Sequence, residues 1–138
     1  MPLIIKLKRA YDPPAAGDGR RILVDRLWPR GLTAAALKLD FWAKAVAPSD
    51  ELRRWYDHAP ERWPEFTRRY FAELDANADR VDELIEHLGA GTATLLYGSK
   101  EPRLNNAAAL KAYLETRTRR AARRTPAGRG GSKRKSTS

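Results

Sequence analysis

Charged and hydrogen-bonding side chains follow the apolar segments of this chain and could bind a small anion. The apolar runs at residues 21–28 and 92–97 each lead into a polar stretch. The candidate ligand-binding residues are Arg9, Arg26, Arg30, Tyr97, Ser99, Lys100 and Asn105. Because open α/β sheets bind ligands beyond the carboxyl ends of their strands, these side chains are expected to share one rim. Arginine and lysine there suit a phosphate or a carboxylate.

Asp25 and His58 are the candidates for proton transfer in this set. A hydrolase or transferase could use Asp25 as base or nucleophile and His58 to pass protons, while Arg26 and Arg30 hold an anion. Two structural alternatives stay open. Asp25 and Arg26 could form an ion pair between strand and loop, which is the more frequent role of such pairs. His58 could interact with the dipole at the end of a helix.

The strands that would position these groups are predicted from periodicity. Residues 3–9 alternate between apolar and polar, as in an edge strand with one exposed face. The near-continuous apolar runs at 21–28 and 92–97 are typical of interior parallel strands. A further strand is expected within residues 41–46. The pattern predicts the α/β class, with a small, mostly parallel sheet flanked by helices.

Helices are expected between and after the strands. Thr33 and Ser49 have the residue types of N-caps, and Gly89 has that of a C-terminal cap. The predicted helices cover residues 33–39, 49–58, 60–74, 79–88 and a last helix that begins at Asn105. Arg53 and Arg54 lie beside acids in the second of these helices, which favours a solvated face. The Pro- and Gly-rich segment 12–19 is predicted to be a loop and turn.

The net charge of +10 is concentrated at the carboxyl end of the chain. Residues 117–138 contain nine Lys or Arg and no acid, which leaves 18 of the 27 basic residues against all 17 acids in residues 1–116. We therefore predict one balanced domain, 1–116, followed by a disordered basic tail, 117–138. Such a tail predicts weak, sequence-independent contact with nucleic acid.

The composition also excludes several kinds of site. The chain has no cysteine, so it has no disulfide, no thiolate metal ligand and no cysteine nucleophile. Its two histidines are too few for an all-histidine metal cage, and we expect neither a metal nor a cofactor. No apolar run approaches the roughly 18 residues of a membrane span, and no signal peptide is recognisable. A cytoplasmic location is therefore expected.

A stretch of the sequence resembles a known family. Residues 24–32 read Val-Asp-Arg-Leu-Trp-Pro-Arg-Gly-Leu and resemble the signature of the YeaO-like family, a bacterial domain of unknown function (number 488). Other pieces of the chain also resemble the family, in the same order along the sequence: they lie within residues 8–12, 47–58, 66–74 and 94–97. The basic tail lies outside them. The resemblance implies a compact bacterial cytosolic α/β domain without an established activity.

One departure from the family concerns chemistry. Longer relatives have a Cys-His-Arg triplet shortly after the strand that resembles Leu95-Leu96, and this chain has Asn105, Asn106 and Ala107 at that spacing. The side chains of any thiol- or imidazole-based reaction in those relatives are therefore missing here. Three functions stay open: an enzyme or binder for a small anion, a nucleic-acid-associated protein that uses its tail, and a protein-interaction module without catalysis.

Overall fold

Short apolar segments of the sequence form a sheet, and longer amphipathic segments form helices around it. A computed structural model describes the backbone of residues 3–124 and the side chains of residues 3–118. In chain order the elements are β1 (Ile4–Arg9), β2 (Arg20–Leu23), α1 (Ala34–Leu37), β3 (Phe41–Trp42), α2 (Asp50–Tyr56), α3 (Trp63–Asp75), α4 (Ala78–Leu88), β4 (Thr92–Tyr97) and α5 (Asn106–Arg124). The sheet of this part of the chain is parallel throughout, in the order β1-β4-β2-β3. The predicted α/β class is therefore confirmed.

The position of each strand in the sheet agrees with its apolar pattern. β1 lies at an edge, where Ile4 is 52% exposed and Ile5 is 5% exposed, as the alternation predicts. β4 lies between β1 and β2, and its Leu95 and Leu96 are both buried although they point to opposite faces. A strand covered on both faces needs apolar residues at successive positions, which explains the continuous apolar run.

Two strands are shorter than the apolar runs that predict them. β2 ends at Leu23 instead of reaching residue 28, because the chain turns away from the sheet there. The strand expected within residues 41–46 keeps only its first two residues as β3. The rest forms a 3-10 turn in which the Val46 N–H donates to the Ala43 carbonyl at 3.2 Å. The backbone groups that a longer strand would pair in the sheet are thus bonded locally.

The sheet separates two apolar cores of unequal size. The larger core packs α2, α3, α4 and α5 against one face, and its buried side chains include Ile22, Tyr70 and Leu110. The smaller core lies under the loop that follows β2, and its members are Ala10, Leu23, Leu37 and Leu96. Each large apolar side chain buried in this way stabilises the fold by roughly 1.5–3 kcal/mol. The larger core therefore holds α2 and α5 in place beside the strand ends.

Side-chain caps determine where the helices near the strand ends begin. The Ser49 hydroxyl accepts from the Leu52 N–H at 3.1 Å, which confirms Ser49 as the cap of α2. Ser49 is held in turn by Glu73 of α3, to which it donates from its hydroxyl at 2.6 Å and from its N–H at 2.9 Å. Asn105 Oδ1 accepts from the Ala108 N–H at 2.9 Å, so Asn105 is the cap of α5 rather than its first residue.

The last helix extends past the domain boundary predicted at residue 116. α5 continues to Arg124, and Arg117 Nη2 donates to Asp82 Oδ1 of α4 at 2.6 Å. Residues 117–124 of the predicted tail therefore belong to a helix, while residues 125–138 lie outside the described residues. Within residues 3–124 no helix, α5 included, is both long and apolar enough to cross a membrane.

A buried ion cluster forms in the loop before β2, where the sequence predicts only a turn. Asp18 is 6% exposed and accepts from Lys8 Nζ at 3.1 Å and from Arg21 Nη1 at 2.6 Å. Gly19 allows this approach: its φ is 63°, and a Cβ there would lie 2.1 Å from the Thr92 carbonyl oxygen. The cluster joins β1, the loop and β2.

Hydrogen bonds decide the charge state of Asp18. Burial disfavours its charged form, but bonds from the Ala15 N–H, Lys8 and Arg21 outweigh burial and hold the pKa of this carboxyl below its ordinary value. A carboxyl with a lowered pKa stabilises the fold above its unfolded-state pKa. That stabilisation is lost as the pH falls through the folded-state pKa.

We predict that Asp18→Asn lowers the free energy of unfolding by about 3 kcal/mol near neutral pH, because Lys8 and Arg21 lose their buried counter-charge. Urea unfolding measures the difference, which should shrink as the pH is lowered through the folded-state pKa. Glu86→Gln is the control, since it removes an exposed carboxylate of α4 and should change the stability by less than about 0.5 kcal/mol. Equal losses in the two variants would contradict the role of Asp18.

Candidate functional site

A cavity of about 360 Å³ opens at the carboxyl ends of β2 and β4. We call it the rim pocket; its wall consists of residues 25–27, residues 47–48, parts of 53–58 at the end of α2, Phe66 of α3, and parts of 99–106. β2 and β4 are neighbours in the sheet although they are distant in sequence. The pocket thus lies where an open α/β sheet places its ligands.

The rim pocket brings together only some of the residues predicted from the sequence. Its lining includes Asp25, Arg26, His58, Ser99 and Asn105. Arg9, Arg30, Tyr97 and Lys100 do not line it. The shared rim is therefore formed by the ends of β2 and β4, without the end of β1.

The other four residues have different surroundings. Arg9 Nε donates to the Ser99 carbonyl at 3.0 Å, so Arg9 supports the loop after β4 instead of facing a ligand. The Tyr97 side chain is 5% exposed and belongs to the larger core. Arg30 and Lys100 are exposed on the surface.

Asp25 joins three elements that are far apart in the sequence. Its Oδ2 accepts from the Gly98 N–H after β4 at 2.8 Å. Its Oδ1 accepts from Asn106 Nδ2 in the first turn of α5 at 3.0 Å, and the same amide donates to the Val24 carbonyl at 3.1 Å. The Asp25 main-chain carbonyl accepts from Trp42 Nε1 at 2.8 Å. Asp25 thus sets the relative positions of β2, β4 and α5.

The charge of Asp25 is only weakly compensated. Burial raises the pKa of this carboxyl above its ordinary value, although hydrogen bonds from Asn106 and Gly98 and the charge of Arg53 oppose the shift. Within residues 3–118 no cation forms a salt bridge with it. The rim pocket therefore contains a carboxylate whose protein partners are two neutral donors.

Arg26 does not form the ion pair with Asp25 that the sequence suggested as a structural alternative. Its Nε donates to the Pro48 carbonyl at 3.2 Å and its Nη2 donates to the Ala47 carbonyl at 3.3 Å. The nearest described carboxylate is Asp50, 3.8 Å from Arg26 Nε. The two neighbours diverge because Asp25 turns towards β4 and α5 while Arg26 turns towards the segment that precedes α2.

Two cations of the pocket were not predicted. Arg53 and Arg54 lie in the last turn of α2 and line the cavity. Arg53 Nη2 donates to Asp50 Oδ1 and Arg54 Nε donates to the Asp50 carbonyl, both at 3.3 Å. In the sequence, the acids beside Arg53 and Arg54 predicted a solvent-facing position for both arginines. Arg53 and Arg54 lie five and four residues before His58, itself a rim candidate, and this spacing was the signal that could have placed them.

His58 lies in a strained turn at the pocket. Asp57 and His58 have φ angles of 46° and 53°, in the left-handed region that residues other than glycine rarely adopt. The Ala59 N–H closes the turn by donating to the Tyr56 carbonyl at 2.9 Å. In the described structure Asp25 and His58 share the pocket without a hydrogen bond between them. No direct hydrogen bond therefore connects the two candidates for proton transfer.

Asn105 is 3% exposed, and both ends of its side-chain amide are used by the fold. Its Oδ1 caps α5, and its Nδ2 donates to the Glu101 carbonyl at 2.7 Å. Asn106, the neighbour that the sequence did not single out as a site residue, bonds Asp25. Asn105 and Asn106 thus contribute side-chain amides to the lining of the pocket, and amides are not nucleophiles.

Comparison with known sequences agrees with the resemblance found in the sequence. A family model described as "Inactive DUF488-N3 subclade" matches residues 4–132. The chain belongs to this family. The match continues past residue 117, so part of the basic tail lies inside it, which corrects the expectation that the tail lies outside the resemblance.

The similar proteins of this family are bacterial and uncharacterized. YeaO of Escherichia coli is 39% identical over 112 residues, which are 81% of this chain and 97% of YeaO. A protein of Mycobacterium tuberculosis is 38% identical over 113 residues, which are 82% of this chain and 95% of that protein. No solved structure matches the chain. The YeaO-like resemblance is confirmed, and the names of these relatives state no activity.

We predict that Asn106→Ala lowers the free energy of unfolding by about 1–3 kcal/mol, because Asp25 and the Val24 carbonyl both lose a part-buried donor. Urea unfolding at neutral pH provides the measurement. Asn77→Ala is the matched control: Asn77 Nδ2 donates one exposed bond, to the Ala45 carbonyl, and its loss should cost about 0.5 kcal/mol. A larger loss for Asn77→Ala than for Asn106→Ala would show that Asp25 does not depend on this amide.

Proposed function

We propose that this DUF488-family protein binds a small anionic ligand in the rim pocket and does not transform it. The observation that carries the proposal is that three arginines, Arg26, Arg53 and Arg54, line one cavity. Guanidinium groups bind carboxylates and phosphates through paired N–H donors. The exposed His58 adds a further donor at the same cavity.

The three arginines keep donors available for a ligand. A guanidinium carries five N–H donors. Arg26 uses two of its nitrogens on backbone carbonyls, and the hydrogen bonds of Arg53 and Arg54 both go to Asp50. One carboxylate, that of Asp50, therefore serves as the near counter-charge of both Arg26 and Arg53. This excess of cationic donors favours an anion.

The size of the cavity supports a small molecule. A volume of about 360 Å³ is at the lower end of the roughly 300–1,000 Å³ of small-molecule sites. The walls are partly apolar, since Phe66, Tyr56 and Leu104 contribute to them. An anion with a short apolar body matches both properties better than a bare inorganic ion does.

Binding is favoured over catalysis by the state of the predicted chemical groups. Both carboxylate oxygens of Asp25 already accept hydrogen bonds, and His58 makes none to Asp25. Asn105, at the spacing where longer relatives have cysteine, is committed to the start of α5. The description of the matching family as inactive supports the same conclusion.

We predict that small carboxylates or sugar phosphates raise the melting temperature of the protein. A ligand at a hundred times its Kd adds about 2.7 kcal/mol to the free energy of unfolding. In the double variant Arg53→Gln, Arg54→Gln, the Kd should rise at least about tenfold, because charge-assisted hydrogen bonds to the anion are lost.

Arg80→Gln is the matched control, since it removes an exposed arginine of α4 that pairs with Glu83 at 3.3 Å. This variant should bind the ligand like the wild type. Arg53, Arg54 and Arg80 are exposed, so their replacement should change the unfolding free energy by less than about 1 kcal/mol. A screen in which no anion stabilises the wild type would contradict the proposal and leave a protein-interaction module as the remaining function of the domain.

A second candidate function is favoured by the charge of the carboxyl end. Residues 117–138 contain nine Lys or Arg, and the family match includes most of them. Such a segment favours salt-dependent, sequence-independent contact with nucleic acid in the cytoplasm, the compartment we expect for the protein.

For this second candidate, we predict that a chain ending at Arg124 keeps its stability, because it keeps all of α5, but binds a mixed-sequence oligonucleotide more weakly than the full chain. Fluorescence anisotropy at several salt concentrations measures the affinity and its salt dependence. Unchanged affinity after this truncation would exclude residues 125–138 as the contact.

A further inference from the structure

Asp18 and Asp25 are carboxylates withdrawn from solvent to different degrees, and their hydrogen-bond partners differ in charge. Asp18 is bonded by Lys8 Nζ and Arg21 Nη1, so two cations neutralise it. Asp25 has no salt bridge among the described residues, and its protein partners are the Gly98 N–H and Asn106 Nδ2. An unpaired charge removed from water is costly to keep. Of these two carboxylates, Asp25 lies on the wall of the rim pocket, where a ligand could supply the missing charge.

The Asp25 carboxylate also has acceptor capacity left. A carboxylate offers about four lone-pair positions, and one bond to each oxygen uses two of them. A metal ion is disfavoured as the missing partner, because no group of three or more His, Asp or Glu side chains in the described part of the chain could hold one. An ammonium group can donate hydrogen bonds to the free acceptor positions of Asp25, and the two groups have opposite charges.

Arg53 and Arg54 form a different part of the pocket wall from Asp25, and neither has a salt bridge with it among the described residues. Arg53 and Arg54 extend from α2 and are bonded to Asp50, while Asp25 lies between the ends of β2 and β4. The pocket therefore has a negative group and a positive wall that do not neutralise each other by contact. Phe66 and Leu104 add apolar surface to the same cavity.

We infer that the rim pocket binds a zwitterion of the amino-acid class, with its ammonium group on Asp25 and its carboxylate on Arg53 and Arg54. This inference rests on the proposed function and names its ligand class. An anion without a cationic group would bring a second negative charge towards Asp25 and leave that carboxylate uncompensated. A zwitterion satisfies both walls, and an apolar amino-acid side chain would contact Phe66 and Leu104.

Calorimetry on the full-length protein with two matched series tests the inference. The first series is phenylalanine, phenyllactate, phenylpropionate and phenethylamine; the second is leucine, leucic acid, isocaproate and isoamylamine. Each amino acid should bind at least about tenfold more tightly than the acid that lacks its nitrogen, since a hydrogen bond between charged groups is lost. The hydroxy acid should fall between them, because it keeps a donor without the charge.

Asp25→Asn should remove this preference: the amino acid should lose at least about tenfold in affinity, while the plain acid should bind equally well or better. Asp79→Asn, an exposed position on α4, is the matched control and should bind both like the wild type. If Asp25→Asn does not fold, N-acetylphenylalanine and N-acetylleucine on the wild-type protein test the same contact, because acetylation removes the ammonium charge.

The outcomes separate the inference from the proposed function. If phenylpropionate and isocaproate bind as tightly as the amino acids, or if only other anions bind, the inference is overturned while anion binding stands. If an amine binds as tightly as its amino acid, the role of Arg53 and Arg54 is overturned. If no anion or amino acid binds at all, the inference and the proposed function both fail.

Discussion

The geometry of the rim pocket depends on the hydrogen bonds of one carboxylate. Asp25 bonds a backbone group 73 residues away and a side chain 81 residues away, and so joins the ends of β2 and β4 to the start of α5. Together with the bond from Asn106 Nδ2 to the Val24 carbonyl, these bonds tie the loop after β2 to the first turn of α5, and residues of both elements line the cavity. The same bonds leave the carboxylate without a cation, so the structural role of Asp25 creates the electrostatic property of the pocket.

The elements predicted from the sequence are those that depend on residues close to one another in the chain. The Ser49 cap depends on one hydroxyl and the N–H three residues later, and the alternation of residues 3–9 needs only one exposed face. The ends of β2 and β3 could not be predicted in this way. They are set by contacts between distant residues, such as the bond from Trp42 Nε1 to the Asp25 carbonyl, and an apolar run does not reveal where such a contact will turn the chain.

The order of the strands decides which of the predicted site residues the structure brings together. The rule that ligands lie beyond strand ends selected Asp25 and Ser99, and both line the rim pocket because β2 and β4 are neighbours. The rule also selected Arg9, whose strand lies on the far side of β4. Arg53 was missed because α2 reaches the pocket through tertiary contacts, including the bonds between Ser49 and Glu73. Neither the order of the strands nor the tertiary contacts of α2 can be derived from the spacing of residues in the sequence.

The features of this structure that are unfavourable in free energy lie around the rim pocket. An unpaired carboxylate and two successive residues with positive φ, Asp57 and His58, lie around one cavity, whereas the ion cluster of Asp18 is neutralised. Unfavourable local features persist where the rest of the fold compensates for them, and they cluster at functional sites. Asn105 lies at the spacing where longer relatives have a cysteine, and its side chain caps α5. The unfavourable local features of the fold are therefore concentrated at the cavity that we propose as the ligand site.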